Sequence, residues 1–193
     1  MKTATTVFLF CVMAFGACKN NAANKQAFII PADTAKFYPL RNFFKEQIQY
    51  VDLRNFNIYK TSLIDGKKDS VSLSKEAFAS IATRFLDHDI SIPSIKIQYQ
   101  ESVFHDLSTG SVTLNYKPNN PDAVVQNIDI LLDEETNRVK RVFIRAAYHN
   151  GDTSFAEQYN WKANKSFQIN RTISVKNGYH STELNYINWN DKP

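Results

Sequence analysis

Residues 138–161 read RVKRVFIRAAYHNGDTSFAEQYNW, and they contain a clear signal for paired β-strands. On both sides of Asn150-Gly151-Asp152, apolar and polar residues alternate with the period of two that is typical of a β-strand. The sequence Asn-Gly favours a tight turn, so the stretch predicts two antiparallel strands joined as a hairpin. The apolar side chains of the first strand are expected to face the core, with Arg141 and Arg145 on the opposite face.

The same alternation extends well beyond this hairpin. Apolar residues of one parity recur in six consecutive segments, which are residues 111–117, 124–132, 138–148, 155–161, 167–175 and 182–189. Short loops rich in Asn, Asp, Gly and Pro separate most of these segments, and short loops join antiparallel neighbours. The second half of the chain is therefore predicted to be an antiparallel meander of about six strands.

Two segments in the first half of the chain have helical periodicity. Apolar residues recur every three or four positions in residues 40–51 and 78–85, and Ser74 is a candidate N-cap for the second helix. Asp65-Gly66 predicts a hairpin between them, which gives an N-terminal helix–hairpin–helix. We expect an α+β domain whose two amphipathic helices cover the apolar face of the meander. Residues 95–104 fit either a short helix or an edge strand.

The N-terminus has the composition of a secretory signal. Lys2 supplies a positive charge, an apolar run covers residues 7–15, and two small residues precede Cys18. The run is shorter than the roughly 20 apolar residues that a membrane-spanning helix needs. Phe15-Gly16-Ala17-Cys18 resembles the lipobox of bacterial lipoproteins, in which the cysteine is lipidated, although Phe15 stands where the motif usually has Leu. The alternative is an ordinary signal peptide with a chance cysteine.

The lipobox resemblance implies a signal peptide over residues 1–17, a lipidated tether over 18–36 and a single domain over 37–193. The protein would then be held in the cell envelope by lipid on Cys18. In lipoproteins of well-studied Gram-negative bacteria, Asp after this cysteine is an inner-membrane signal, whereas this chain has Lys19. The absence of that Asp favours the outer membrane. Since residues 19–25 carry no acidic residue, the periplasmic face is favoured over exposure at the cell surface.

Composition and motifs argue against several classes of function. The net charge of +4 comes from interspersed residues of both signs, which is not the pattern of a nucleic-acid-binding protein. The four histidines stand far apart, so we expect no metal site and no cofactor. Asp87-His88-Asp89 is interpreted as a solvated helix end. Because no nucleophile motif and no phosphate-binding loop occurs, we expect a protein without catalytic activity.

The strand that carries Arg141 and Arg145 contains the most suggestive binding feature. Arginines beside aromatic rings bind anionic or amphipathic ligands, so Arg141, Arg145, Tyr159 and Trp161 are the candidate ligand-binding residues. Whether the two aromatic residues share the arginine face depends on the register, which a bulge near the turn would reverse. The alternative is an ordinary solvated sheet face with cross-strand pairs, such as an arginine with Glu157.

Three classes of function remain. The first is a membrane-tethered, non-catalytic module that binds a ligand or assembles with an envelope protein. The second is a carrier or chaperone of lipid or lipoprotein, because a sheet covered by helices is similar to the plan of the lipoprotein-localisation proteins. The third, an enzyme with an unrecognised site, has the least support. The chain also resembles small bacterial lipoproteins of unassigned function. A filled core would favour the binding module, and a dry apolar tunnel would favour the carrier.

Overall fold

The computed structural model describes residues 27–30 and 37–192. Within these residues the chain forms one antiparallel sheet of ten strands, three α-helices and a 3₁₀ helix. The elements in chain order are β1 (Ala27–Ile30), α1 (Leu40–Asp52), β2 (Ile58–Ile64), β3 (Lys67–Leu73), α2 (Lys75–Ala82), the 3₁₀ helix (Thr83–His88), α3 (Pro93–Lys96), β4 (Tyr99–Asp106), β5 (Ser111–Pro118), β6 (Val125–Asp133), β7 (Val139–Asn150), β8 (Thr153–Lys162), β9 (Ser166–Val175) and β10 (His180–Asn188). The strands lie in the order β1-β4-β5-β6-β7-β8-β9-β10-β2-β3.

The predicted fold class is wrong, although all six predicted strands occur as β5 to β10. The described chain is dominated by a ten-stranded sheet with short helices, not by a six-stranded meander under two helices. The hairpin β2–β3 is not part of a separate N-terminal unit, because β2 pairs with β10 and extends the sheet. Residues 95–104 divide between the end of α3 and most of β4. β1, from the segment predicted to be tether, pairs with β4.

The predicted helices form where their apolar periodicity places them. α1 buries the side chains of Leu40, Phe43, Phe44, Gln47 and Val51 along one face. α2 begins after Ser74, whose Oγ accepts a hydrogen bond from the backbone N–H of Ala77 at 3.2 Å. This bond satisfies one of the free N–H groups of the first helical turn and confirms the predicted N-cap. None of the helices in the described part of the chain has the length and apolar character needed to cross a bilayer.

Aromatic side chains fill the space between the sheet and the helices. The ring centroid of Phe85, in the 3₁₀ helix, lies 5.1 Å from that of Phe44 in α1 and 4.8 Å from that of Trp161 in β8. Trp161 Nε1 donates to Gln47 Oε1 at 3.2 Å, so the one polar atom of this side chain is also satisfied. The aromatic contacts join both layers of the domain, and aromatic pairs at such distances are favourable beyond their buried area.

The two faces of the sheet differ in what covers them. On β7, Val142, Ile144 and Ala146 are buried in the layer that the described helices contact, and the alternate residues Arg141, Phe143 and Arg145 point to the other side. We call this second side the open face. Because side chains alternate along a strand, the pairing register extends both faces across the whole sheet.

Candidate functional site

The four residues of the predicted patch do not come together. β7 and β8 pair in simple register, with Arg145 opposite Gln158 and no bulge between the strands. Directly opposite residues share a face, so Arg141 and Arg145 lie on the open face. Tyr159 and Trp161 have the other parity and are buried in the core. The arginines were placed correctly by parity, whereas the aromatic residues pack with the helices.

The open face carries a polar depression across β7, β8 and β9. Two adjoining hollows of about 420 and 560 Å³ share Arg145, Gln158 and Asn170 in their linings. These three side chains form one row, because Gln158 pairs with both of the others. Asn160 and Gln168 pair in the adjacent row. Volumes of about 300–1,000 Å³ are typical of small-molecule sites. We call this depression, lined by these five residues, the amide groove.

Hydrogen bonds order both rims of the amide groove, one of which lies on β5 and β6 and the other on β9. On one rim, Asn115 Nδ2 donates to Asn127 Oδ1 at 2.9 Å and to Asp129 Oδ1 at 2.6 Å. Asn127 Nδ2 also donates to Asp129 Oδ2 at 2.7 Å. On the other rim, Gln168 Nε2 donates to Asn170 Oδ1 at 2.9 Å. Side chains held in this way lose less conformational entropy when a ligand arrives, so the rims are preorganised.

The middle of the amide groove contrasts with its rims. Asn160 Oδ1 is buried and accepts no hydrogen bond from the described residues. Arg145 is exposed and takes part in none of the ion pairs within the described ranges. A buried acceptor without a donor costs about 1–3 kcal/mol, and native proteins usually satisfy such groups with water or a ligand. The groove therefore presents the exposed guanidinium of Arg145, whereas Asn160 Oδ1 lies beneath the groove surface.

Phe143 adds an apolar surface to the same depression. Its ring lines the smaller hollow and remains 39% exposed. The guanidinium carbon of Arg141 lies 5.5 Å from the ring centroid, which is within the range of a cation–π contact. Arg141 thus stacks beside the groove, while Arg145 lies in its lining. The open face combines an aromatic ring with two arginines, but the ring is Phe143 instead of the predicted Tyr159 or Trp161.

A second polar cluster lies on the core side of the sheet, around Glu157. This carboxylate is 3% exposed and accepts from Arg84 at 3.0 Å, from Arg171 at 2.6 Å and from the Tyr159 hydroxyl at 2.6 Å. Burial raises the pKa of Glu157, but these hydrogen bonds and the two positive charges outweigh it and hold the pKa below its ordinary value. A carboxylate held this way is a poor general base, and the cluster joins the 3₁₀ helix to β8 and β9.

The Asp87-His88-Asp89 segment is not the solvated helix end that the sequence predicted. His88 is buried with its ring centroid 4.4 Å from that of Tyr159, and Asp89 is buried and accepts from Arg41 Nε at 3.3 Å. Burial lowers the pKa of His88, which favours the neutral imidazole. The sequence places all three residues at the end of an amphipathic helix, whereas the 3₁₀ turn buries His88 against Tyr159 and Asp89 beside Arg41 and leaves Asp87 exposed.

Of the five groove residues only Arg145 was predicted from the sequence, although a signal for the amide residues exists. Amide or carboxylate residues stand two positions apart on three strands, in the pairs Asn127 and Asp129, Gln158 and Asn160, and Gln168 and Asn170. They occupy the polar positions of the same alternation that predicted β6, β8 and β9. A solvated sheet face carries similar residues, so only the register shows that the pairs align across the sheet.

The amide groove offers hydrogen-bond donors and acceptors from its amides, one guanidinium and the adjoining Asp129 carboxylate, whose two oxygens accept from asparagine amides. Among residues 27–30 and 37–192, no group of three or more His, Cys, Asp or Glu side chains is arranged to hold a metal ion. No family model, no curated protein and no solved structure matches the chain.

Proposed function

We propose that this chain is a membrane-tethered, non-catalytic binding protein of the cell envelope, and that the amide groove holds its ligand. The observation that carries the proposal is the depression itself, in which the exposed Arg145 and Gln158 have no side-chain hydrogen bond or ion pair among the described residues, between rims ordered by hydrogen bonds. Their side chains are free to bond to a ligand, and the depression has the volume of a small-molecule site.

The alternative function, a carrier of lipid or lipoprotein, requires an apolar cavity beneath the sheet. In the described residues, aromatic rings occupy this space. Phe167 stacks on Trp161 at 4.8 Å between centroids, and Phe78 lies 5.7 Å from Phe167. Close packing of this kind leaves little volume for an acyl chain. The filled core therefore supports binding on the open face over carriage inside the fold.

The tether in this proposal is lipid on Cys18, at the outer membrane and on its periplasmic side. The support is the N-terminal signal sequence followed by the lipobox-like Phe15-Gly16-Ala17-Cys18, both of which lie outside the described residues. β1 begins at Ala27. Residues 19–26 therefore keep Ala27, the first residue of β1, within about 30 Å of the lipidated cysteine, the reach of a fully extended chain of this length. A ligand in this proposal is one found close to the membrane surface.

Cys18→Ser is expected to abolish lipid anchoring and so either to release the domain from the membrane or to block signal removal, because serine cannot carry the thioether-linked lipid. The variant should appear as soluble periplasmic protein or as a precursor with its signal uncleaved, whereas the wild type sediments with membranes. Fractionation followed by intact-mass measurement distinguishes these products. Cys11→Ser is the matched control, since Cys11 lies in the apolar run of the signal and should leave anchoring unchanged. Mature, tightly membrane-bound Cys18→Ser protein would contradict the tether.

Gln158→Trp is expected to remove the natural ligand, because a bulky ring in the middle of the amide groove occupies its volume. Ser70→Trp is the control, since Ser70 lies on the open face at the edge strand β3, outside the groove. Native mass spectrometry of protein purified from its own membranes reports the bound mass. Wild type and Ser70→Trp should retain it, and Gln158→Trp should lose it. Retention by Gln158→Trp, or a wild type that carries no ligand, would count against the proposal.

A further inference from the structure

The hydrogen-bonding groups of the amide groove restrict the chemistry of its ligand. Asn160 Oδ1 is an unpaired acceptor with no accessible surface, so a ligand hydroxyl can reach it only if the side chain turns toward the groove. Asn170 Oδ1 already accepts from Gln168, which leaves the Asn170 amide N–H groups to donate. Gln158, between them, offers both a donor and an acceptor. Hydroxyl groups both donate and accept hydrogen bonds. A ligand that matches the row of amides therefore carries several hydroxyls.

The guanidinium of Arg145 indicates that the ligand carries an anionic group. Arg145 presents a planar fork of N–H donors, which matches a carboxylate in bidentate geometry. Arg145 is the one cation among the described lining residues, and the same lining holds one carboxylate, Asp129, whose two oxygens accept from asparagine amides. A phosphate monoester carries about −1.5 to −2 charges and would need a second cation here. The singly charged carboxylate is therefore the better match to Arg145.

Phe143 supplies the third element of recognition. Its partly exposed ring lines the hollow that also contains Arg145 and Asn160. The negative face of an aromatic ring attracts polarised C–H groups, and a sugar ring presents such a face between its equatorial hydroxyls. The two adjoining hollows lie on opposite sides of this row, so the groove runs along the strands and can hold more than one ring of a chain.

Building on the proposed function, we propose that the amide groove binds a carboxylated saccharide. The carboxylate lies on the Arg145 guanidinium, and hydroxyls bond to the amides of Gln158 and Asn170. One sugar ring packs on Phe143. No covalent step is involved, and the protein acts by holding the saccharide near the membrane.

The inference is tested by calorimetric titration of the purified, detergent-solubilised full-length protein with defined probes. The probes are trigalacturonate, its methyl ester and glucose 6-phosphate, which separate carboxylate, neutral sugar and phosphate recognition. Trigalacturonate should bind, the ester should bind about 10- to 100-fold more weakly, and the phosphate should not bind, because a charge-assisted bidentate contact is lost or mismatched. Equal affinity for acid and ester, or a preference for the phosphate, would overturn the inference.

Variants assign the recognised groups to residues. Arg145→Gln should reduce the affinity for trigalacturonate to that of the ester, and Arg145→Lys should restore only part of it, since lysine lacks the planar fork. Arg138→Gln is the control, because Arg138 is an exposed arginine in the loop between β6 and β7. Unchanged thermal midpoints establish that the variants are folded. Unchanged affinity in Arg145→Gln would overturn the assignment.

The failure of this inference is distinguishable from failure of the proposed function. If no saccharide probe binds while Gln158→Trp still displaces the natural ligand, the saccharide is wrong and the groove stands as the binding surface. If the natural ligand persists in Gln158→Trp and no probe binds, both the binding function of the groove and the proposed ligand class are contradicted.

Discussion

Trp161→Ala is expected to lower the free energy of unfolding by about 3–5 kcal/mol, the usual cost of removing a large aromatic side chain from a core. Trp161 is fully buried and packs between the sheet and the helices, with Phe85 and Phe167 each 4.8 Å away between ring centroids. The deletion also leaves Gln47 Oε1 with one donor fewer, although the backbone N–H of Asn164 still binds it at 2.7 Å.

The measurement for Trp161→Ala is equilibrium unfolding in urea, followed by far-ultraviolet circular dichroism. Phe143→Ala is the matched control, because Phe143 is an aromatic residue of the same sheet on the open face and is 39% exposed. Its loss should cost less than about 1 kcal/mol, as for most surface substitutions. If Phe143→Ala were as destabilising as Trp161→Ala, the assignment of core and open face would be reversed or absent.

Glu157→Ala is expected to cost about 3 kcal/mol in the free energy of unfolding. Removing one partner of a buried ion pair typically costs about 3–5 kcal/mol, because the remaining charge stays desolvated. Arg84 and Arg171 would both lose their carboxylate, and the Tyr159 hydroxyl would lose its acceptor. The side chains of Arg84 and Arg171 keep 32% and 27% exposure, so water offsets part of the loss and places the effect at the lower end.

Acid titration gives an independent reading of the Glu157 cluster. The folded-state pKa of Glu157 lies below its ordinary value of 4.5, so its contribution to stability is present above about pH 4.5 and is lost as the pH falls. The stability difference between wild type and Glu157→Gln should therefore be constant near neutral pH and shrink in acid. Asp152→Ala removes an exposed ion pair with Lys176 and should have no measurable effect. A difference that grows on acidification would contradict the lowered pKa.

Local periodicity was sufficient to locate the strands from β5 to β10, both main helices and the Asp65-Gly66 turn. Alternation and turn residues act over a few positions, and these elements are specified at that range. The sheet as a whole was not predictable in this way. β2 joins β10 through pairs such as Ser62 with Asn185, more than 120 positions apart, and no local pattern reports such a pairing.

The candidate site was even less predictable from local sequence patterns than the sheet. Parity placed Arg145 on the open face, but the location of Tyr159 depended on whether a bulge intervened at the turn between β7 and β8. The partners of Glu157 come from the next strand and from Arg84, which lies 73 positions away in the chain. The amide groove likewise exists only because Gln158 aligns with Asn170. Each of these features is set by register, which packing of the core decides.

The location of the ligand is read most directly from nuclear magnetic resonance of the isotope-labelled protein, with and without the molecule that co-purifies from its membranes. The side-chain amides of Gln158, Asn160 and Asn170 and the indole N–H of Trp161 each give their own signal. Ligand binding to the amide groove predicts large shifts of the three amide signals and an unchanged indole signal. A shifted Trp161 indole with unmoved groove amides would place the ligand inside the fold and contradict binding on the open face.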